Sequence, residues 1–142
     1  FMNQIMQGKP MTIFGDGTQT RAFSYIDDVA PAIARSVETP AAYNQVFNIG
    51  ADTPCTVRHL AETVAHAFGV EPRIEYLPAR IEVRHAHADH AKARRVFGET
   101  EPIALEQGIA RMAAWAKRAG ARQSSVFENI EVERNLPASW QR

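Results

Sequence analysis

A glycine-aspartate-glycine turn, Gly15-Asp16-Gly17, set between two short extended runs, constrains this chain more than any other feature. Thr12-Ile13-Phe14 before it reads as a strand of β-branched and aromatic residues. Glycine accepts the positive φ a tight reversal needs, and an aspartate between two glycines can hydrogen-bond its own backbone. Ala22 to Tyr25 reads as a second extended segment, and Asp27 or Asp28 as the cap of a helix that begins near Val29. Arg21 stands between the turn and the second segment. A planar guanidinium with paired N–H donors is the side chain best matched to a diphosphate, so Arg21 is the first candidate for an anion contact.

The rest of the chain alternates short strands with helices. Phe1, Met2, Ile5 and Met6 share a helical face, and Gly8 and Pro10 stop that helix. A second helix spans Asp27 to Glu38, with Pro31 in its first turn. Val46-Phe47-Asn48-Ile49 reads as a short buried strand closed by Gly50, which makes Asn48 a candidate ligand contact at a strand's carboxyl end. Thr56 caps a third helix ending at Phe68, with Gly69 beyond it. Arg73 to Leu77 reads as a strand, Asp89 as the cap of a fourth helix ending at Phe97, and Leu105 to Ala119 as a fifth helix. His85, His87 and His90 with Asp89 contain the residue types of a zinc site, but Asp89 is already assigned to a helix cap. This alternation predicts an α/β arrangement, with a lobe over residues 1–119 and a C-terminal tail over 120–142.

Composition removes several function classes. Sixteen basic and sixteen acidic residues cancel, which lends no support to a nucleic-acid partner. No apolar run approaches the ~20 residues that span a bilayer, so no membrane partner is expected and the cytoplasm is the expected location. One cysteine, Cys55, provides neither a disulfide nor a zinc motif and reads as a small apolar filler.

Met11 to Val29 closely resembles a segment of the extended short-chain dehydrogenases, the NAD-dependent nucleotide-sugar epimerases and dehydratases. That family's pattern runs roughly (L/M)T(I/V)(F/Y)GDG.QTR.F.Y(V/I)DD(V/L). Further matches follow in the family's order: Phe47-Asn48-Ile49-Gly50, Ala88-Asp89 with Lys92-Ala93, and Gly98. The resemblance implies a small mixed sheet with flanking helices, the C-terminal lobe of such an enzyme, similar to that of a UDP-glucose 4-epimerase. It also implies a nucleoside-diphosphate sugar held between this lobe and a Rossmann domain that carries NAD and a catalytic Tyr-x-x-x-Lys. The chain contains no glycine-rich dinucleotide fingerprint, and Tyr25, Tyr43 and Tyr76 are followed four residues later by Val29, Phe47 and Arg80. The expectation is therefore a substrate-binding fragment or truncated reading frame, with no cofactor of its own and no activity alone.

The resemblance also implies roles. Arg21 would lie on the diphosphate. The family's R-P-G-(D/E) segment corresponds to Arg80-Ile81-Glu82, one residue shorter and lacking Pro-Gly, with Arg80 on phosphate and Glu82 on ribose hydroxyls. Arg84 competes with Arg80 for the phosphate role. The other reading is a non-enzymatic self-associating or ligand-binding module. A lobe built to lie against a second domain leaves apolar side chains uncovered, so Phe1, Met2, Ile5, Met6, Ile33 and Val37 are expected to drive formation of a homo-oligomer. Phe127, Ile130, Leu136 and Trp140 of the tail offer another cover for that surface.

Overall fold

In a computed structural model that describes residues 1–122, β1 (Met11–Phe14) is the strand about which the main core forms. Met11 and Ile13 point inward and are each only 1% exposed. They meet Ala61, Val64 and Ala65 of α3 (Val57–Phe68) and Ile109 of α5 (Leu105–Ala119), with α1 (Met2–Met6) packed alongside. Fully buried alanines at 61 and 65 let α3 lie close to its neighbours, and Ala113 and Ala116 do the same for α5. The helix ends follow from chemistry legible in the sequence. Thr56 accepts a hydrogen bond from the His59 amide at 3.1 Å, and Gly69 closes α3 at φ +74°.

Strands form two small sheets, not one. β1 pairs in parallel with β4 (Ile74–Leu77), Met11 opposite Ile74. β2 (Thr20–Ala22) lies between β3 (Pro54–Thr56), antiparallel to it, and β5 (His85–Ala86), parallel to it. The strand expected at Ala22 to Tyr25 thus sits two residues earlier. Ala22 is opposite Pro54, which has no N–H to extend the ladder, and the chain turns away there. Helix α2 (Ile26–Ser36) in consequence begins before Asp27 and Asp28, and neither caps it. Asp28 instead accepts a hydrogen bond from the Ile103 amide at 3.1 Å, and Asp27 faces Arg111 at 3.5 Å. Pro31 lies inside the helix and not in its first turn.

The second core is smaller: Ala32, Ala42, Ala93 and Phe97, with Phe47 set edge-on to Phe97 at 5.1 Å. Here the expected strand at Val46–Ile49 does not form. No strand lies beside it to pair with its backbone among the described residues. Lys92, from α4 (Ala91–Phe97), donates to the Val46 carbonyl at 2.9 Å and sits 4.7 Å from the Phe47 ring centre. One lysine therefore anchors this segment, and Val46 is 83% exposed.

The expected apolar surface divides into two. Phe1, Met2 and Ile5 pack partly against the main core. Ile33 and Val37 are 57% and 72% exposed, and Ile26, Tyr43 and Val46 are exposed as well. A separate groove of about 680 Å³ runs between α1 and α5, with Phe23, Tyr25, Met112 and Trp115 among its walls. Helix α5 ends at Ala119, where the lobe was expected to give way to the tail. The tail residues Phe127, Ile130, Leu136 and Trp140 lie outside the described residues.

Candidate functional site

The carboxyl ends of β1 and β4 and the start of β2 converge on one loop cluster. Gly15 (φ +74°) and Gly17 (φ +76°) turn the chain out of β1. Between them Asp16 accepts from the Thr18 amide at 2.9 Å and from the Thr18 hydroxyl at 2.7 Å. Those two bonds hold the Asp16 carboxyl below the ordinary carboxylate range. Arg58 donates to the Asp16 carbonyl at 2.7 Å, and a Cβ on Gly17 would lie 3.1 Å from the Arg58 Cβ. Position 17 therefore needs glycine both for its φ and for this close approach.

This turn delivers Arg21 into the middle of β2, where β3 and β5 fix its backbone on both sides. The Arg21 guanidinium donates to the Thr20 carbonyl at 2.7 Å and to the Arg84 carbonyl at 3.3 Å, and meets Glu82 Oε2 at 3.3 Å. Arg80 reaches the same Glu82 oxygen at 3.4 Å, and its guanidinium lies over the Phe14 ring, 4.5 Å from the centre. The other Glu82 oxygen accepts from Gln19 Nε2 at 3.3 Å, and Gln19 also donates to the Phe14 carbonyl at 3.0 Å. Arg84 points its guanidinium to the Thr18 hydroxyl at 3.3 Å, not to Glu82.

Four of the five residues expected at the site are therefore together: Arg21, Arg80, Glu82 and Arg84. Two guanidiniums, those of Arg21 and Arg80, meet the Glu82 carboxylate, and that of Arg84 lies beside them at Thr18, where Asp16 feels its charge. The side chains are partly screened from water, 27% exposed for Arg21 and 24% for Glu82. Asn48 is not among them. Its amide donates to the Asp89 carbonyl at 3.5 Å beside the second core, because the segment that carries it forms no strand pointing at the cluster.

Gln19 is the contact that sequence reasoning missed. It stands two residues before Arg21, but nothing in its spacing says that its side chain turns to Glu82. Also missed was Asp52. It accepts from His90 Nδ1 at 2.6 Å and pairs with Arg94, and the His90 bond is the main cause of its lowered carboxyl pKa. The histidines whose spacing contains the residue types of a zinc site point to different partners. His85 Nδ1 lies 2.9 Å from the Thr20 hydroxyl while His90 is turned to Asp52, and no metal-ligating group occurs among the described residues. Cys55, half-buried in β3, has its thiol pKa pushed up, first by burial and then by Glu106.

Residues 1–50, which include the turn and Arg21, match the model of the NAD dependent epimerase/dehydratase family. A UDP-glucuronate 4-epimerase from Thermodesulfobacterium geofontis is 31% identical over 96% of this chain and 39% of its own length. The chain belongs to the NAD-dependent epimerase/dehydratase family. A UDP-glucose 4-epimerase from Mycolicibacterium smegmatis is 35% identical over 78% of the chain and 36% of the relative. The chain thus spans less than two fifths of the length of these curated relatives. Among solved structures, UDP-glucuronic acid 4-epimerase from Bacillus cereus, in complex with UDP-glucuronic acid and NAD, superposes with a TM-score of 0.75 at 28% identity. It matches over 83% of this chain and 38% of its own. UDP-glucose 4-epimerase from Thermotoga maritima, with UDP-glucose, gives 0.75 at 29% identity over the same shares. The α/β fold expected from the sequence is the fold of this part of those enzymes.

The glycines of the described chain do not fit a dinucleotide seat. Such a seat needs a strand, a glycine-rich turn and then a helix N-terminus facing the pyrophosphate. Gly15 and Gly17 lead from one strand into another. No helix among the described residues is long and apolar enough to cross a membrane.

Proposed function

We propose that this chain forms the nucleotide-sugar-binding part of an NAD-dependent epimerase or dehydratase acting in the cytoplasm, and is inactive alone. The observation that carries this reading is the convergence of Arg21 and Arg80 on a single oxygen of Glu82. Two guanidiniums that already share one anionic oxygen, with Arg84 beside them, supply the paired N–H donors and the charge that phosphate oxygens accept. Arg21 and Arg80 hold the two phosphates, Arg84 adds positive field, and Glu82 accepts from ribose hydroxyls. The half-buried Phe14 ring carries the Arg80 guanidinium over its face and so helps to aim it. NAD, which the Bacillus cereus structure holds together with UDP-glucuronic acid, supplies transient hydride removal when bound. It belongs in this proposal to a Rossmann lobe outside this chain, since the residues here make no seat for it.

Calorimetry with UDP and with uridine tests the reading. UDP is expected to bind the chain saturably and weakly, uridine not measurably. Equal binding of the two would show that the phosphates are not what the cluster recognises.

The second reading is a self-associating module, favoured by the exposed Ile26, Ile33, Val37, Tyr43 and Val46. Contiguous apolar surface of a few hundred Å² is rarely left open on a soluble monomer. Light scattering at tens of micromolar is expected to give a dimer or larger species, and Ile33→Asp with Val37→Asp to return a monomer. A monomeric mass for the unaltered chain would remove this reading.

A further inference from the structure

Glu82 stands where a ligand's phosphate is expected to stand, and this has a consequence for selectivity. Its Oε2 lies 3.3 Å from Arg21 and 3.4 Å from Arg80, and its Oε1 lies 3.3 Å from Gln19. The carboxylate therefore already uses the donors that a diphosphate would use. The loop that carries it has little else to hold it: Ile81 and Val83, on either side, are 96% and 65% exposed. The ion pairs and the Gln19 bond are the polar contacts that hold the Glu82 carboxylate.

We propose that Glu82 is a built-in counter-ion of the Arg21–Arg80 pair, displaced when a diphosphate binds, and that this exchange selects nucleoside diphosphates over bare phosphates. The inference rests on reading the cluster as a phosphate site. An incoming diphosphate must break both ion pairs, and in leaving the arginines Glu82 loses its two cationic partners. A bare diphosphate has nothing but negative charge to offer the displaced carboxylate. A nucleoside diphosphate carries a vicinal ribose diol, two O–H donors that can satisfy it again. The cost of displacement thus falls on both ligands and the compensation on one. Selectivity arises as a difference between the two affinities, with Glu82 acting as the element that repels the wrong ligand.

Titration calorimetry with inorganic pyrophosphate and with UDP, on the unaltered chain, Glu82→Gln, Glu82→Ala and Arg21→Ala, tests this. Removing the counter-ion is expected to tighten pyrophosphate binding about tenfold and to lower the UDP-to-pyrophosphate affinity ratio by about tenfold or more, by the scale of one close charge pair near a surface. Both Glu82 variants should move in the same direction, and Arg21→Ala should weaken both ligands. If Arg21→Ala weakens both ligands but the Glu82 variants bind pyrophosphate no tighter than the unaltered chain, the counter-ion role is wrong and the phosphate site stands. If Arg21→Ala changes neither affinity, or no variant binds either ligand, the phosphate reading fails and this inference with it.

Discussion

Arg21→Ala is expected to weaken UDP binding by about 10- to 100-fold, because hydrogen bonds to charged groups contribute about 1.5–3 kcal/mol. Three features of the structure place Arg21 above Arg80 and Arg84 in this respect. Its backbone is paired on both sides, opposite Cys55 in β3 and Ala86 in β5, so its position does not depend on a ligand. Its guanidinium is oriented by two carbonyls, those of Thr20 and Arg84, which leaves other N–H groups for an anion. It is also the least exposed of the guanidiniums at Glu82, at 27% against 38% for Arg80. Lysine at position 21 would keep the charge but lose the planar fork, so Arg21→Lys should recover only part of the loss. Calorimetry on the three proteins decides the matter. An alanine variant that binds UDP as tightly as the unaltered chain would reduce Arg21 to a structural ion pair with Glu82.

The second large effect is on stability. Ile13→Ala is expected to cost about 3 kcal/mol, within the range of roughly 2–5 for emptying a buried aliphatic site. Ile13 is 1% exposed on β1, in the cluster with Ala61, Val64 and Ala65 of α3. Small neighbours on a helix already in close contact have little room to move in and fill the cavity. Marginal stability is typically about 5–15 kcal/mol, so the loss is a large share of the whole. Urea unfolding should show a lower midpoint at unchanged slope. Ile33→Ala serves as the contrast, since an isoleucine 57% exposed on α2 is expected to shift stability by no more than about 0.5 kcal/mol. Similar midpoints for the two variants would mean that β1 is not the strand on which the core depends. Because β1 leads directly into the Gly15–Gly17 turn, Ile13→Ala should also loosen the placement of Arg21.

Helix α5 was legible to the residue, Leu105 to Ala119, and so was α3 with its cap and its closing glycine. These signals are local: a periodic apolar stripe, a side chain that bonds an amide three residues on, a glycine able to take positive φ. The errors fell where pairing at a distance decides. Val46–Ile49 has the composition of a buried strand, yet a strand needs a neighbour, and a lysine from α4 takes that place. Arg21 was expected just before a strand and lies inside one, because Pro54 opposite Ala22 fixes where the ladder ends.

The candidate site divides in the same way. The residues themselves determined the glycine turn, the presence of an arginine five residues after Asp16, and the family to which the pattern belongs. They could not choose between Arg80 and Arg84, because a loop that departs from the family's pattern carries no register of its own. The tertiary structure gives the two side chains different surroundings. Pairing of His85 with Thr20 draws the loop across β2, and this puts the Arg80 guanidinium and the Glu82 carboxylate beside Arg21 while turning Arg84 toward Thr18. Side chains some sixty residues apart meet only after non-local strands have paired, and no local spacing encodes that distance.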